Sequence, residues 1–177
     1  MKLEICANSI ESALNAQNAG ADRVELCAEL SVGGVTPSFA TIKLAKELLN
    51  IPIHVLIRPR SGDFLYTPME REIMKDDITF CKDVGCDGIV IGCLNVDRTI
   101  DENFLSSLML EAGYMDVTFH RAFDITPNLF ESLDTLKELG IQRILTSGGP
   151  GNAVDNLSVL GELIEEADVD LIVMPGG

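Results

Sequence analysis

Short apolar runs return along the chain at a regular rhythm, and this rhythm constrains the fold more than any other feature. Seven runs start near residues 3, 23, 52, 88, 116, 143 and 171. Helix-like segments lie between them, among them 9–19, 36–49, 130–139 and 157–166. Strands that alternate with helices form right-handed βαβ units, so the pattern predicts an α/β fold with a parallel sheet.

Similar turns introduce several of these runs: AGADR at 19–23, VGCDG at 84–88 and LGIQR at 139–143. A glycine just after a helix and a polar residue before a strand are typical of loops that lead from helix to strand. Seven units at intervals of roughly 20–36 residues predict a parallel (β/α)8 TIM barrel rather than a doubly wound sheet. A complete barrel has eight strands and about 250 residues. We therefore expect residues 1–177 to form a single barrel domain that lacks the C-terminal part with the eighth strand.

Composition excludes several classes of protein. Asp and Glu number 28 against 13 Lys and Arg, and the net charge of −15 disfavours nucleic acid and anionic membranes as partners. No apolar run approaches the roughly 18 residues of a membrane span. Five cysteines without CxxC spacing do not indicate a secreted disulfide framework. We expect a cytoplasmic protein with reduced thiols.

The ends of the strands carry the polar residues. Side chains alternate between the two faces of a strand, and the chemistry of a barrel lies where its strands end. Glu-x-Cys occurs twice, as Glu4 with Cys6 and Glu25 with Cys27, at matching places in successive runs. In the third run His54, Leu56, Arg58 and Arg60 share a face if the chain is extended; in the fifth run Thr118, His120 and Asp124 share one. We expect six polar side chains to converge at the C-terminal mouth: Glu4, Glu25, Arg58, Arg60, His120 and Asp124.

This cluster favours an acid–base site that binds an anion. Paired arginines suit a carboxylate or a phosphate, although ion pairing with Glu4, Glu25 or Asp63 is the alternative. His120 is suited to act as general base, general acid or metal ligand, but a lone strand histidine is more often a core residue. His54, at the start of its run, is predicted to be structural. The candidate catalytic residues are Glu4, Glu25, Arg58, His120 and Asp124.

Glycine-rich stretches follow three of the runs, at 33–34, 148–151 and 176–177. Backbone amides in such loops can bind phosphate, although glycine is also ordinary loop chemistry. The candidate substrate-binding residues are Arg58, Arg60, Ser147 and Gly148. After the first glycine pair, Thr36 and Pro37 are predicted to be the N-cap and first residue of a helix.

Cys6 and Cys27 are the strongest candidates for a metal site. The pairing predicts that they lie roughly 5 Å apart at the ends of neighbouring strands. Thiolates are soft ligands that suit Cu(I), whereas small buried thiols that merely fill space are the alternative. The other cysteines, Cys81, Cys86 and Cys93, are looser in spacing and are predicted to be structural.

Several motifs together resemble the CutC copper homeostasis protein family. They are IRPRSGDFLYT at 57–67, TFHRAFD at 118–124, RILTSG at 143–148, ELC at 25–27 with GGVTPS at 33–38, and MPGG at 174–177. The resemblance implies a cytosolic TIM barrel with a role in copper tolerance. It implies Cys6 and Cys27 as the proposed copper ligands, and it implies members that continue past MPGG.

Two function hypotheses follow. The first is a copper-handling protein whose partner is Cu(I), held by Cys6 and Cys27. The alternative is a barrel enzyme that acts on a small anion bearing phosphate or carboxylate. The chain has no CxxC, Met-rich tract or His cluster, which is unlike a dedicated copper chaperone. Exposed strand edges invite association, so a homo-oligomer is a further expectation.

Overall fold

The computed structural model describes residues 2–169 and 171–176, and in these ranges strands alternate with helices as predicted. The sheet has the strand order of the chain, β1 to β7. The strands are β1 (Glu4–Ala7), β2 (Arg23–Leu26), β3 (Ile53–Leu56), β4 (Gly88–Ile91), β5 (Asp116–Phe119), β6 (Arg143–Thr146) and β7 (Ile172–Pro175). The α-helices are α1 (Ile10–Asn18), α2 (Phe39–Leu48), α3 (Pro68–Asp83), α4 (Glu102–Ala112), α5 (Leu129–Glu138) and α6 (Leu157–Ala167). Short 3-10 helices occupy Leu30–Val32, Arg121–Ile125 and Ala153–Asp155.

Contacts divide the chain into two compact units. The first comprises Met1–Asp63, Thr67–Val90 and Leu108–Asp116, and the second comprises Phe64–Tyr66, Ile91–Ser107 and Val117–Gly177. In the first unit β1 pairs with β2, β2 with β3, and β3 with β4, always in parallel. In the second unit β5 pairs with β6 and β6 with β7, also in parallel. Parallel pairing in each of the two units confirms the predicted class of sheet.

The core of the first unit explains why β3 is apolar on one face and mixed on the other. Ile53 and Val55 are fully buried and share one face of the strand. On the opposite face Leu56 packs with Cys27 and Val90 in one buried cluster. A strand that is buried on both faces is typical of a parallel sheet. Both faces of β3 are therefore buried. Ile53 and Val55 lie on one face, and His54 lies with Leu56 on the other.

Helix starts follow the capping rules, with one correction to the predicted boundaries. Thr67 begins α3 with a capping box, in which its side chain accepts from the Glu70 amide and Glu70 reaches back. The prediction that Thr36 caps a helix is wrong, because α2 begins after Ser38, whose hydroxyl accepts from the Thr41 amide. The Thr36 hydroxyl instead accepts from the Arg58 amide at 2.8 Å. A tertiary contact therefore decides which of two capping residues starts the helix.

The second unit has its own core around β5 and β6. Phe119 and Ile144 lie at the same register position of the two strands, and both are fully buried. Leu136 of α5 and Leu163 of α6 are fully buried as well. Burying such side chains contributes about 1.5–3 kcal/mol each, so they stabilise the second unit. Within the described ranges, no helix combines the length and apolarity that crossing a membrane requires.

Candidate functional site

Cys6 and Cys27 form a thiol pair with 3.5 Å between their Sγ atoms. Cys6 lies in β1 and is exposed, whereas Cys27 directly follows β2 and is buried. The two Glu-x-Cys motifs are offset in register by two residues, because Cys6 is level with Glu25. Barrel strands are staggered by their shear, and this stagger sets Cys6 diagonally to Cys27.

A hydrogen bond links the two thiols, and either sulfur can be the donor. The contact with Cys27 raises the pKa of Cys6, and burial adds to this rise. The same contact lowers the pKa of Cys27, which is therefore the sulfur that loses its proton first. The reactive form of a cysteine is the thiolate. The pair thus combines a thiol of raised pKa, Cys6, with a thiol of lowered pKa, Cys27.

Glu25 places a buried carboxyl group next to the thiol pair. Its Oε1 lies 3.8 Å from Cys6 Sγ, and only 7% of the residue is exposed. Burial raises the pKa of Glu25 well above its usual value, and the nearby Cys6 and Glu4 raise it further. A desolvated carboxyl group keeps its proton because the charged form is the costly one. The surroundings of Glu25 therefore favour its protonated form beside the thiol pair.

Glu4, the other acidic residue of the motifs, is engaged by Arg23. The Arg23 Nε donates to Glu4 Oε2, and both side chains are largely buried. The register explains the pair, because Glu4 and Arg23 lie level on β1 and β2. Sequence reasoning overlooked Arg23, although its place at the head of the second run was a usable signal.

Arg58 binds backbone carbonyls. Its guanidinium donates to the oxygens of Val32 at 3.1 Å, Gly34 at 2.9 Å and Gly62 at 2.8 Å. These carbonyls belong to the loops after β2 and β3, and Arg58 itself is only 6% exposed. Arg58 therefore holds the two loops together at the ends of their strands.

Arg60 is paired with two acids. It donates to Glu70 Oε1 at 2.6 Å and to Asp63 Oδ1 at 2.9 Å. Asp63 was among the predicted alternatives, but Glu70 was missed despite the Thr-x-x-Glu capping signature at 67–70. The expectation that strand alternation places Arg58 and Arg60 is also wrong, because β3 already ends at Leu56. Pro59 and the turn after it set these side chains instead.

His54 lies at the start of β3, as expected, and is 1% exposed. Its Nε2 lies 3.9 Å from Asp116 Oδ2. Gly88 makes the room for its ring, since a Cβ at that position would come within 2.6 Å of the imidazole. The absence of a side chain at residue 88 is thus a condition for burying His54.

His120 follows β5 and is the N-cap of the 3-10 helix Arg121–Ile125. Its Nδ1 accepts from the Ala122 amide at 3.1 Å, so the neutral ring carries its proton on Nε2. The ring packs 4.9 Å from that of Phe64, centroid to centroid. The prediction that strand alternation brings Asp124 to the face of His120 is wrong, because the chain turns helical after Phe119.

Asp124 anchors the glycine-rich loop after β6. Its Oδ2 accepts from the Ser147 amide at 3.1 Å, the Ser147 hydroxyl at 2.9 Å and Arg121 Nε at 2.8 Å. Its Oδ1 accepts from the Thr146 hydroxyl and from the Gly149 amide at 3.4 Å. The amides that the sequence suggests for phosphate thus already surround a carboxylate of the chain itself. Thr146 was missed because nothing in its sequence context indicates this contact.

Comparison with known proteins decides the family. The sequence pattern of the CutC family matches residues 1–177. The chain belongs to the CutC family. It is 47% identical to the human copper homeostasis protein cutC homolog over 175 residues, which are 99% of this chain and 64% of that protein. It is 48% identical to the CutC family protein of Pasteurella multocida over 176 residues, 99% of this chain and 72% of that one.

Solved structures confirm the fold of this CutC family member. The crystal structure of the Streptococcus agalactiae CutC protein is 34% identical, with a TM-score of 0.94 over 99% of this chain and 87% of that one. An aldolase, QR15, has a TM-score of 0.70 at 11% identity over 98% of this chain and 77% of that one, a likeness of fold alone. The TIM-barrel prediction is therefore confirmed. The chain spans about two thirds of the length of its human and mouse relatives, 64% in each case.

The candidate residues of this CutC family member fall into two groups. Six belong to the first unit: Glu4, Cys6, Glu25, Cys27, Arg58 and Arg60. Four belong to the second: His120, Asp124, Ser147 and Gly148. Their convergence into one pocket stays a prediction, as do their catalytic and ligand roles. Within residues 2–169 and 171–176, no three His, Cys, Asp or Glu side chains are arranged to hold a metal ion.

Proposed function

We propose that this CutC family member takes part in copper homeostasis in the cytosol by binding Cu(I) between Cys6 and Cys27. The observation that carries the proposal is the 3.5 Å distance between the two sulfur atoms at the ends of adjacent strands. Relatives named copper homeostasis protein support the assignment of the metal. The exposure of Cys6 supplies a route by which the ion enters and leaves.

The chemistry of the thiol pair favours a soft monovalent ion. Thiolates select Cu(I), and Cu(I) accepts as few as two ligands. Zinc, by contrast, takes four ligands in structural sites, and the described ranges hold no group of three. The thiolate of Cys27 binds first, and the proton of Cys6 leaves as the second bond forms.

The present spacing has to open slightly to accommodate the ion. Metal–sulfur bonds of about 2.3 Å would subtend an angle of roughly 100° at the observed separation of 3.5 Å. A linear site needs the two sulfur atoms about 4.6 Å apart. Rotation of the exposed Cys6 side chain lengthens the distance between the two sulfur atoms by this ~1 Å without moving β2. The residues therefore fit the ion.

An anaerobic Cu(I) titration against a chromophoric chelator tests the proposal. Wild type should hold one Cu(I), and Cys6→Ser, Cys27→Ser and the double variant should lose it. Cys93→Ser is the matched control, because Cys93 is buried and donates to the Asp101 carbonyl, a contact that serine can keep. Unchanged affinity and stoichiometry in the double variant would show that the two cysteines are structural.

A barrel enzyme is the second candidate function, and Glu25 is the observation that favours it. A buried carboxyl group with a raised pKa beside a thiolate places an acid next to a nucleophile. The charged side chains at the strand ends suggest a small anionic substrate bound through Arg60. Sulfate or phosphate should then raise the melting temperature of wild type at constant ionic strength, but not that of Arg60→Met. Equal melting temperatures with and without the anion would count against the enzyme and leave the copper site untouched.

A further inference from the structure

We propose that a groove in the second unit binds a small carboxylic acid with an apolar body, whose carboxylate is held by Arg98. The groove has a volume of about 610 Å³, within the range of small-molecule sites. It lies among the loops that follow β4, β5 and β6, at the ends of strands where barrel proteins bind ligands. Its main lining residues are Arg98, Ile125, Asn128, Leu129, Phe130 and Val159.

The wall of the groove is apolar and in part open to solvent. Ile125 is 43% exposed and Phe130 is 37% exposed, although both are large apolar side chains. Leu129 and Val159 continue the same wall. Ligand sites combine such surfaces with a few polar groups that fix the orientation of the ligand. The wall therefore suits the apolar body of a ligand.

Arg98 supplies the charge. It lies in a tight turn in which the Asn95 amide donates to the Thr99 carbonyl at 2.8 Å and the Arg98 amide donates to the Asn95 carbonyl at 2.9 Å. Its φ of +68° is unusual for a residue with a side chain, and such conformations gather at functional sites. The turn therefore holds the backbone of Arg98 in one place.

The neighbouring acids do not neutralise Arg98. The Asp97 carboxylate accepts from the Thr99 amide at 3.0 Å and from its hydroxyl at 2.7 Å. Asp124, which also lines the groove, is compensated by Arg121. Across the described ranges, the Arg98 guanidinium forms neither an ion pair nor a hydrogen bond. Its five donors remain for a ligand, and their planar array matches a carboxylate.

Asn128 offers a second donor on the same groove. Its Oδ1 accepts from the amides of Phe130 and Glu131 and thereby caps α5. This contact orients the side chain, while its Nδ2 donates no hydrogen bond to any part of the chain that the structure describes. A carboxylate bound to Arg98 can accept from Nδ2 as well. A cation, an amide donor and an apolar wall together select a carboxylate that carries a hydrocarbon body.

Octanoate is a suitable probe, with octanamide as its uncharged match. We expect octanoate to shift the backbone NMR signals of Arg98, Asn128 and Gly149, and to bind at least about tenfold more tightly than octanamide. Arg98→Gln should weaken octanoate at least about tenfold. Asn128→Ser keeps a helix cap but loses the amide donor, so it should weaken octanoate less than Arg98→Gln. Lys43→Gln is the charge-matched control on the first unit and should change nothing.

Three outcomes would overturn the groove proposal. Equal affinity for octanamide would show that the charge is not recognised. Unchanged binding by Arg98→Gln would remove Arg98 from the site. The absence of shifts around the groove at saturating octanoate would remove the site itself. Because the groove involves neither Cys6 nor Cys27, each of these results is independent of the Cu(I) titration.

Discussion

The carboxylate of Asp124 lies inside the backbone loop that begins at Ser147, and accepts from both its amide, at 3.1 Å, and its hydroxyl, at 2.9 Å. Ser147 is fully buried, and its hydroxyl donates a hydrogen bond to either Asp124 or the Gly149 carbonyl, which is 2.8 Å away. Loops of this kind bind anions because successive amides point inward. An external anion would have to displace Asp124 before it could reach the same amides.

Asp124→Asn should therefore destabilise the protein strongly. The amide keeps the shape but turns one acceptor into a donor that faces the donors of Ser147 and Arg121. Lost charge-assisted hydrogen bonds and mismatched buried donors predict a loss of about 2–4 kcal/mol in the free energy of unfolding, measured in urea. Asp155→Asn is the control, since Asp155 is exposed. A loss of less than about 0.5 kcal/mol, as expected at the surface, would show that Asp124 does not anchor the loop.

Two glycines should respond to alanine in opposite directions. A Cβ at Gly92 would lie 2.3 Å from His120 Cε1, so Gly92→Ala should cost about 1–3 kcal/mol and move the His120 ring signals in NMR. A Cβ at Gly161, in α6, meets nothing within 4 Å. Gly161→Ala should raise the stability by about 0.5–1 kcal/mol, because alanine favours the helix. Thermal unfolding of both variants checks the signs, and a neutral Gly92→Ala would contradict the close approach.

Arg58→Lys tests the clamp between the loops after β2 and β3. Lysine keeps the charge but cannot reach the three carbonyls of Val32, Gly34 and Gly62 with one planar group. We expect a loss of roughly 2–4 kcal/mol in urea unfolding and faster amide exchange at residues 33–35. Arg98→Lys, at an exposed turn, should change the stability by less than about 0.5 kcal/mol. Similar stabilities for the two variants would mean that the charge alone holds the loops.

Glu25 should give the stability a distinctive dependence on pH. Its pKa is raised in the folded protein, mainly by burial, so the folded state keeps a proton that the unfolded state releases above about pH 4.5. The stabilisation that Glu25 contributes to the folded state is fully present below that pH. It is lost as the pH rises towards the folded pKa, by up to ~1.4 kcal/mol per pH unit.

Glu25→Gln removes this titration while it keeps the size of the side chain. The stability of the variant relative to wild type should therefore increase from pH 5 to pH 7 in urea unfolding. Exposed Glu47 provides the control, because Glu47→Gln should shift the stability equally at every pH. A constant difference between Glu25→Gln and wild type across this range would show that Glu25 titrates normally.

Local sequence patterns predicted most of the strands and helices of the fold. The apolar runs predicted where β2, β4, β5 and β6 begin, and glycine followed by a polar residue marked the turns before three of them. These features depend on neighbours a few residues away, through alternation, capping and the conformational freedom of glycine. Beyond the ends of the strands, the same rules no longer predicted where the side chains lie. Alternation could not place Arg58 or Asp124, because a proline turn and a 3-10 helix intervene.

The sequence by itself determined the parallel α/β class and the family motifs. It also identified Cys6 and Cys27 as the candidate metal ligands. Only the tertiary structure decided how the side chains pair. The stagger of β1 and β2 set Cys6 level with Glu25 and Glu4 level with Arg23. In the folded chain Arg58 donates to three backbone carbonyls, and Asp124 accepts from the loop that begins at Ser147. The physical reason is that buried polar groups must find partners, and those partners lie far away in sequence and near only in the folded chain.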